Sequence, residues 1–323
     1  MKAAIVTSPG LKPSYGEFRE PIGREGLEVI TVTAAALTNL TKGRAAGSHY
    51  SADNSYPFVP GVDGVGRLAD GRRVYFAMPD APFGAMAEQT LVDPRRIVLV
   101  PDHLGDVAAA ALANPGMSCF AALIERAHFV AGETVLINGA TGSAGVVAVQ
   151  VAKQIGAGKV IVTGRNAQEL ETLRSLGADV VIPFDLRREN PQGAELFEEA
   201  LMEEFAGGLD VVVDYLWGTS ARTIVIAIAR AIEEAHAVRF VQVGEASREP
   251  VELPGAALRS SAIEIMGSGL RSVPLPRLLE SIRRTFDLAA RGKLNLPAMV
   301  VPLSTVTENW EAPGKPRLVF AVK

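Results

Sequence analysis

The residues with the clearest chemistry are Gly139, Gly142 and Gly145, spaced three apart in GATGSAG. They follow the apolar run ETVLINGA and precede SAGVVAVQVAKQIGA, where Val147, Val151 and Ile155 recur on one helical face. A turn from strand into helix needs a residue that accepts unusual φ. A pyrophosphate can approach the backbone only where no side chain blocks it, and a last glycine lets the helix pack on the strand. The helix start then offers free N–H groups and a favourable dipole to the phosphates. Ala144 lies in that first turn, and Thr141 and Ser143 can add hydroxyl donors. The spacing is GxxGxxG and not the commoner GxGxxG. The strand–turn–helix setting therefore carries the reading, which is a dinucleotide site.

The next apolar run, KVIVTG, ends at Gly164, Arg165 and Asn166. A site that prefers NADH places an acidic residue about 20 residues past the glycine turn, on the ribose 2′-hydroxyl. The expected carboxylate is missing and an arginine stands in its region. A carboxylate repels a 2′-phosphate, whereas a guanidinium pairs with it. The expected cofactor is NADP(H), with Thr163, Gly164, Arg165 and Asn166 around the phosphate. The plainer reading of Arg165 is a solvated loop charge, and comparing NADPH with NADH affinity separates the two.

These residues need a scaffold. ETVLINGA, KVIVTG, ADVVIPF, LDVVVDYL, AVRFVQVG and AIEIMGSG are continuously apolar, as strands of a parallel sheet covered on both faces are. AQELETLRSLGA, with Leu170, Leu173 and Leu176 on one side, AELFEEALMEEF and SARTIVIAIARAI have helical patterns. Six such strands with intervening helices predict an α/β fold with a doubly wound Rossmann sheet. Upstream, KAAIVT, LEVITVTAAAL, RRVYFAM and RRIVLVP are short β-type runs between Gly and Pro signals, which predict a β-rich domain. Downstream, PLPRLLESIRRTFDLAARGKL reads as an amphipathic helix, and AMVVPLSTV and RLVFAVK as strands. The last strand is expected to return to the N-terminal domain. The expected division is 1–115 with 270–323 for the β-rich domain and 116–269 for the dinucleotide domain.

Composition narrows the class. Apolar residues make up 48% and charged residues 21%, so the chain reads as an ordinary globular protein. A net charge of −4 offers no electrostatic footprint for nucleic acid or an anionic membrane. The longest apolar stretches look strand-length or broken by Gly and polar residues, short of the roughly 20 residues a spanning helix needs. MKAAIVTSPG reads as a first strand and not as a signal peptide. Cys119 is the single cysteine, so no intrachain disulfide forms, and a reducing cytoplasm fits best.

Taken together, MKAAIVTSPG, PFVPGVDGVGRL, FGAMAEQTLV, GATGSAG, LDVVVDYLWG and VQVG, in this order, resemble the medium-chain dehydrogenase/reductase superfamily. The resemblance is to its zinc-independent quinone oxidoreductase branch and runs nearly end to end. It implies an N-terminal GroES-like β-domain completed by the C-terminal tail, a Rossmann domain, a cleft between them, and a homodimer through the Rossmann sheets. Zinc-dependent relatives carry PGHE where this chain has Pro60, Gly61, Val62 and Asp63. Their catalytic cysteine belongs near Ala36 to Thr41, where none is found, and a four-cysteine lobe is impossible with one cysteine. The four histidines are scattered at 49, 103, 128 and 236. Tetrahedral zinc needs several N or S ligands, so no catalytic metal is expected.

By position, the resemblance implies that Asn39 in AALTNLTKGR points at the nicotinamide pocket. Lys42 and Arg44 stand where the family often has Asp and Tyr, a departure that argues against a quinone. Ser118 in NPGMSCF, Trp217 in DYLWG, Val243, Gly244, Gly267 and Ser268 are the implied contacts to the ring or its surroundings. Without zinc, the substrate carbonyl must be polarised by hydrogen bonds. Asn39, Lys42 and Arg44 are the candidates, with water, Tyr50 or His49 as proton donor. The plainer readings are a turn cap for Asn39, surface charges for Lys42 and Arg44, and loop residues for His49 and Tyr50. The expected function is hydride transfer from NADPH to a small enone, aldehyde or quinone. The alternative is a non-enzymatic NADPH-binding sensor or structural protein, because a fold does not guarantee chemistry.

Overall fold

Apolar runs sort the strands into two kinds of sheet. The computed structural model describes residues 1–52 and 55–322; Asp53 and Asn54, in the loop GSHYSADNSYPF, and Lys323, at the end of RLVFAVK, lie outside the described residues. The described chain divides into two units, Met1–Asn114 with Ile282–Lys323, and Pro115–Ser281.

The first unit holds β1 (Lys2–Ile5), β2 (Ser14–Glu17), β3 (Glu28–Ala36), α1 (Asn39–Ala45), β4 (Asp63–Arg67), β5 (Arg73–Ala77), β6 (Gln89–Val92), β7 (Ile97–Leu99) and the start of α2 (Asp106–Phe120). The second runs through β8 (Thr134–Asn138), α3 (Ser143–Gln154), β9 (Lys159–Gly164), α4 (Ala167–Thr172), β10 (Val180–Pro183), α5 (Gly193–Phe205), β11 (Val211–Asp214), α6 (Gly218–Ala231), β12 (Ala237–Gln242), α7 (Gly255–Arg259) and β13 (Ala262–Gly267). Then α8 (Leu275–Ala290) leads back to the first unit, with β14 (Ala298–Pro302), α9 (Val306–Asn309) and β15 (Arg317–Ala321). The return falls within α8, at 281/282, and not at the 269/270 expected. The reason is packing: Leu278 joins Ala121 and Val273 in the second unit, whereas Phe286 meets Tyr75 edge-to-face at 5.8 Å in the first.

The first unit is built on a mostly antiparallel sheet in the order β14-β15-β3-β4-β5-β7, with β6 also on β3 and β1–β2 a separate pair. Val319 to Ala321 of β15 pair with Ala36 to Ala34 of β3, so the C-terminal strand does return to the N-terminal sheet. The core includes Ile30, Phe76, Met86 and Phe320. Full burial of each such side chain contributes roughly 1.5–3 kcal/mol.

The second unit carries a six-stranded parallel sheet in the order β10-β9-β8-β11-β12-β13. The strand order reverses between β8 and β11, and ligands of such sheets bind at that switch point, beyond the carboxyl ends of the strands. Phe197, Leu201 and Phe205 on α5 and Ala221, Ile224, Val225 and Ile228 on α6 keep the i, i+3, i+4 spacing of an apolar stripe. They cover the face that carries Leu136, Val212 and Phe240.

One expectation needs correction. Helix Asp106–Arg126 has 21 residues and is apolar enough to cross a membrane by length and composition. Its apolarity has another source: 67% of its most apolar window is buried inside the protein. It escapes a reading by runs because Pro115 interrupts it and its end, Ala121–Arg126, loosens into a π-helical turn.

Candidate dinucleotide site and apolar cleft

Each glycine of the turn meets a different constraint. Gly139 has φ +83°, a conformation L side chains rarely adopt, and a Cβ there would sit 2.8 Å from the Leu216 side chain. A Cβ on Gly145 would lie 2.5 Å from the Cα of Ala140, so the glycine lets α3 approach the end of β8. A Cβ on Gly142 would meet only the Gly139 carbonyl, at 3.5 Å, so this position opens onto free space. Gly142 is the N-cap of α3, with Ser143, Ala144 and Gly145 in the first turn, where helix N–H groups point out of the helix. Ser143 and Ala144 are half-buried, as is Thr141, which packs beside Gly164. The turn thus fits a pyrophosphate: filled on the helix side, open above Gly142.

Beneath the turn lies a buried polar network that the motif reading did not identify. Asn138, the last residue of β8, donates through Nδ2 to Asp214 at 2.8 Å and to Ser220 at 2.9 Å. It accepts from the Thr163 hydroxyl at 2.7 Å. Asp214 also accepts from the backbone N–H groups of Leu216 and Trp217. Burial pushes the Asp214 carboxyl up to about 6, against the hydrogen bonds that favour its charge. The network fixes the ends of β8, β9 and β11 and the path of the following loop. The available signal was a lone polar residue ending each apolar run, VLIN and VVVD.

Thr163 is therefore corrected: its side chain is fully buried and holds strands together. Asn166 is exposed and has a structural duty as well. It caps α4, accepting from the Glu169 N–H and donating to the Glu169 carboxylate at 2.9 Å. Arg165 is exposed, and no carboxylate among the described residues pairs with it.

Of the implied ring contacts, Trp217, Val243, Gly244, Gly267 and Ser268 lie at the carboxyl ends of β11, β12 and β13, whereas Ser118 lies on α2. Trp217 begins α6 with φ +62° and packs edge-to-face on Phe240 at 6.4 Å. It shares an open recess with Gln242, Glu245 and Gly267. The N–H groups of Val243 and Gly244 both donate to the Asp214 carbonyl, and a Cβ on Gly244 would lie 2.6 Å from the Tyr215 carbonyl. The Ser268 N–H donates to Gln242, and Gly267 already accepts from Arg126 Nε at 2.8 Å. The Ser118 hydroxyl donates to the Pro115 carbonyl at 2.8 Å. These backbone bonds shape the recess and leave fewer free groups there than the resemblance implied. Cys119 is fully buried, and burial pushes its thiol far above the ordinary range, so it is no nucleophile.

The first unit has its own cleft. It is lined by Thr41 and Arg44 of α1 and by apolar residues including Phe58, Val59, Val62, Met78 and Phe83. Thr38 caps α1, accepting from the Thr41 N–H, so Asn39 is not the cap. Asn39 is exposed at the first helical position. Arg44 is half-buried, with Nη1 3.8 Å from the Met78 sulfur. Lys42 does not line the cleft; its Nζ lies 3.4 Å from the Ala312 carbonyl, and burial lowers its pKa. Tyr50 is also outside the lining, 66% exposed and stacked on His49 at 4.1 Å. Burial, then the charge of Arg44, lowers the pKa of His49.

The donors near Val62 do not suit a metal. Asp63 is buried and accepts from the Tyr75 hydroxyl at 3.0 Å. Burial raises its carboxyl to about 6, against the nearby Arg317 and the Tyr75 bond. Val62 offers no ligand atom. Among the described residues no three His, Cys, Asp or Glu come together as a metal site requires.

Comparison with known proteins agrees with this geometry. The family described as Zinc-binding dehydrogenase matches residues 144–284. A probable NADPH-dependent quinone reductase of Emericella nidulans is 28% identical over 352 residues, covering 96% of each chain. The 2-methylene-furan-3-one reductase of Solanum lycopersicum is 34% identical over 178 residues, 50% of this chain and 45% of that one. Among solved structures, the quinone oxidoreductase of Thermus thermophilus superposes with a TM-score of 0.80 at 23% identity, covering 99% of this chain and all of the other. In its fold, its glycine turn and these likenesses the chain is similar to quinone oxidoreductase-like members of the medium-chain dehydrogenase/reductase superfamily.

Proposed function

We propose that this protein is an NADPH-dependent oxidoreductase that passes hydride to a small enone, aldehyde or quinone without a catalytic metal. The observation that carries the reading is the open glycine turn at the head of α3, with Arg165, unpaired among the described residues, directly after the next strand. The Emericella and Solanum relatives, named as a probable NADPH-dependent quinone reductase and a 2-methylene-furan-3-one reductase, support it.

When bound, the nicotinamide supplies hydride to an electrophilic carbon, and NADPH, a proton and an enone become NADP+ and the saturated carbonyl compound. The protein's part is to bind, orient and polarise. The first turn of α3 holds the pyrophosphate and Arg165 the 2′-phosphate. Asn39, exposed and free of capping duty, donates its amide to the carbonyl oxygen as charge develops there. Arg44 binds substrate in the apolar cleft. We assign the proton to solvent, because Tyr50 is exposed and stacked on a histidine whose pKa is lowered.

The test is NADPH oxidation across enones, aldehydes and quinones. Turnover of at least one class is expected. Micromolar NADPH binding with no turnover of any would establish the sensor alternative.

We further propose a homodimer. The parallel sheet ends at β13, which is half-exposed and pairs only with β12 among the described residues. An unpaired sheet edge is a template for pairing with another chain. Sedimentation velocity is expected to give twice the chain mass; a monomer at micromolar concentration would refute it.

A further inference from the structure

We infer that the cleft of the first unit is built for an electrophile that carries a carboxylate on an otherwise apolar body, with Arg44 as the group that selects it. This rests on the reading of the protein as a reductase and names its substrate class.

The cleft walls are apolar: Phe58, Val59, Val62, Met78 and Phe83 all line it. Among the described residues, Arg44 is the one charged side chain that lines it. Its partner among the described residues is the Met78 sulfur at 3.8 Å, a weak acceptor that offers no charge to balance it. Among the described residues, the two nearby acids are engaged elsewhere, and Asp53, between the lining residues Ala52 and Ser55, lies outside them. Asp80, between the lining residues Pro79 and Ala81, is paired with Arg24. Asp63, next to Val62, is buried against Tyr75 and in the field of Arg317. A second guanidinium, that of Arg96, donates to the Met78 carbonyl at 2.6 Å and adds to the positive field. His49 brings no negative charge; burial first, and then the charge of Arg44, lower its pKa.

A cation half-buried among apolar walls gains most from an anion that brings its own apolar body. A planar guanidinium matches a carboxylate in two parallel hydrogen bonds. A neutral enone fills the walls and leaves Arg44 without a partner, so it binds less tightly. Hydrogen bonds to charged groups contribute about 1.5–3 kcal/mol, which is roughly a 10- to 100-fold preference.

The experiment uses matched pairs on the full-length protein: enones bearing a terminal carboxylate on methylene spacers of increasing length, and their methyl esters. With saturating NADPH, the acid is expected to exceed its ester in kcat/KM by about 10-fold or more at the best spacer, chiefly through KM. The preference should collapse towards parity in Arg44→Met, survive in part in Arg44→Lys, and weaken with added salt. Equal kcat/KM for acid and ester in the wild type, or a preference that persists in Arg44→Met, overturns the inference. Calorimetric titration with the saturated acids and esters reads the same preference without turnover. Tight binding of the acids with no reduction would count against the reductase reading and for Arg44 recognition. Turnover of the esters with no preference for the acids would do the reverse.

Discussion

Arg165 is the residue on which cofactor choice turns. It is exposed and unpaired among the described residues, and its two expected helpers have other duties: Thr163 binds Asn138, and Asn166 caps α4. The 2′-phosphate contact therefore falls mainly on one guanidinium. Arg165→Ala is expected to raise the NADPH dissociation constant about 10-fold or more and to leave that for NADH within about twofold, as loss of one charge-assisted contact predicts. Fluorescence titration with both cofactors checks it, and equal wild-type affinities for the two would sink it. The presence of a cation at this position was legible in the sequence. The duties of its neighbours were not, because a threonine ending a strand and an asparagine starting a helix look the same whether they face a ligand or the protein.

At the scale of the element, the glycine turn separates packing from binding. Gly145→Ala drives a methyl to 2.5 Å from backbone, and relief requires α3 to move. The expected cost is about 1–3 kcal/mol of stability, read as a fall in urea midpoint. Gly142→Ala meets one atom at 3.5 Å, so stability should stay within about 0.5 kcal/mol. Its methyl projects where the pyrophosphate is expected, so NADPH affinity should fall about 10-fold or more. A variant at 142 that binds NADPH as wild type would refute the placement of the pyrophosphate. Spacing alone identified the turn; the difference between its glycines comes from what stands opposite each, Leu216 and Ala140 against open space.

Across the whole molecule, two buried carboxylates shape the response to pH. Asp63 and Asp214 are both held near 6 by burial, against an ordinary value of 3.8. The native state keeps these protons to higher pH than the unfolded chain. Between about pH 4 and 6 the unfolded state therefore binds fewer protons, and stability falls as pH rises, then levels off above pH 6. Asp93 and Asp185, held near 2 by their arginine neighbours Arg95 and Arg187, titrate below this window. Asp63→Asn is expected to remove one share of the fall, about 2 kcal/mol in order of magnitude. Urea unfolding at the two ends of the window checks it: the variant should lose less stability on going from pH 4 to 6 than the wild type does. An unchanged difference would mean that Asp63 is ionised throughout. Neither carboxylate stood out in the sequence, since burial depends on strands and helices brought together from distant parts of the chain.

The sequence by itself determined the second unit's architecture, because continuously apolar runs separated by amphipathic helices admit few solutions other than a covered parallel sheet. It also determined the place of the dinucleotide turn and the lack of zinc ligands at Val62 and Cys-free Ala36 to Thr41, since these are matters of residue identity. Tertiary structure alone decided which neighbours of the turn are free to meet a ligand. Hydrogen bonds made across strands commit Thr163, Asn138 and Asp214 to one another, and local spacing carries no record of them. It also decided that helix Asp106–Arg126 is a core element despite its apolar composition, because burial is a property of what surrounds a helix. Most of all, it turned Arg44 from a choice between substrate contact and surface charge into the one charged residue, among the described residues, that lines an apolar cleft, since its walls come from segments that meet only in the folded chain.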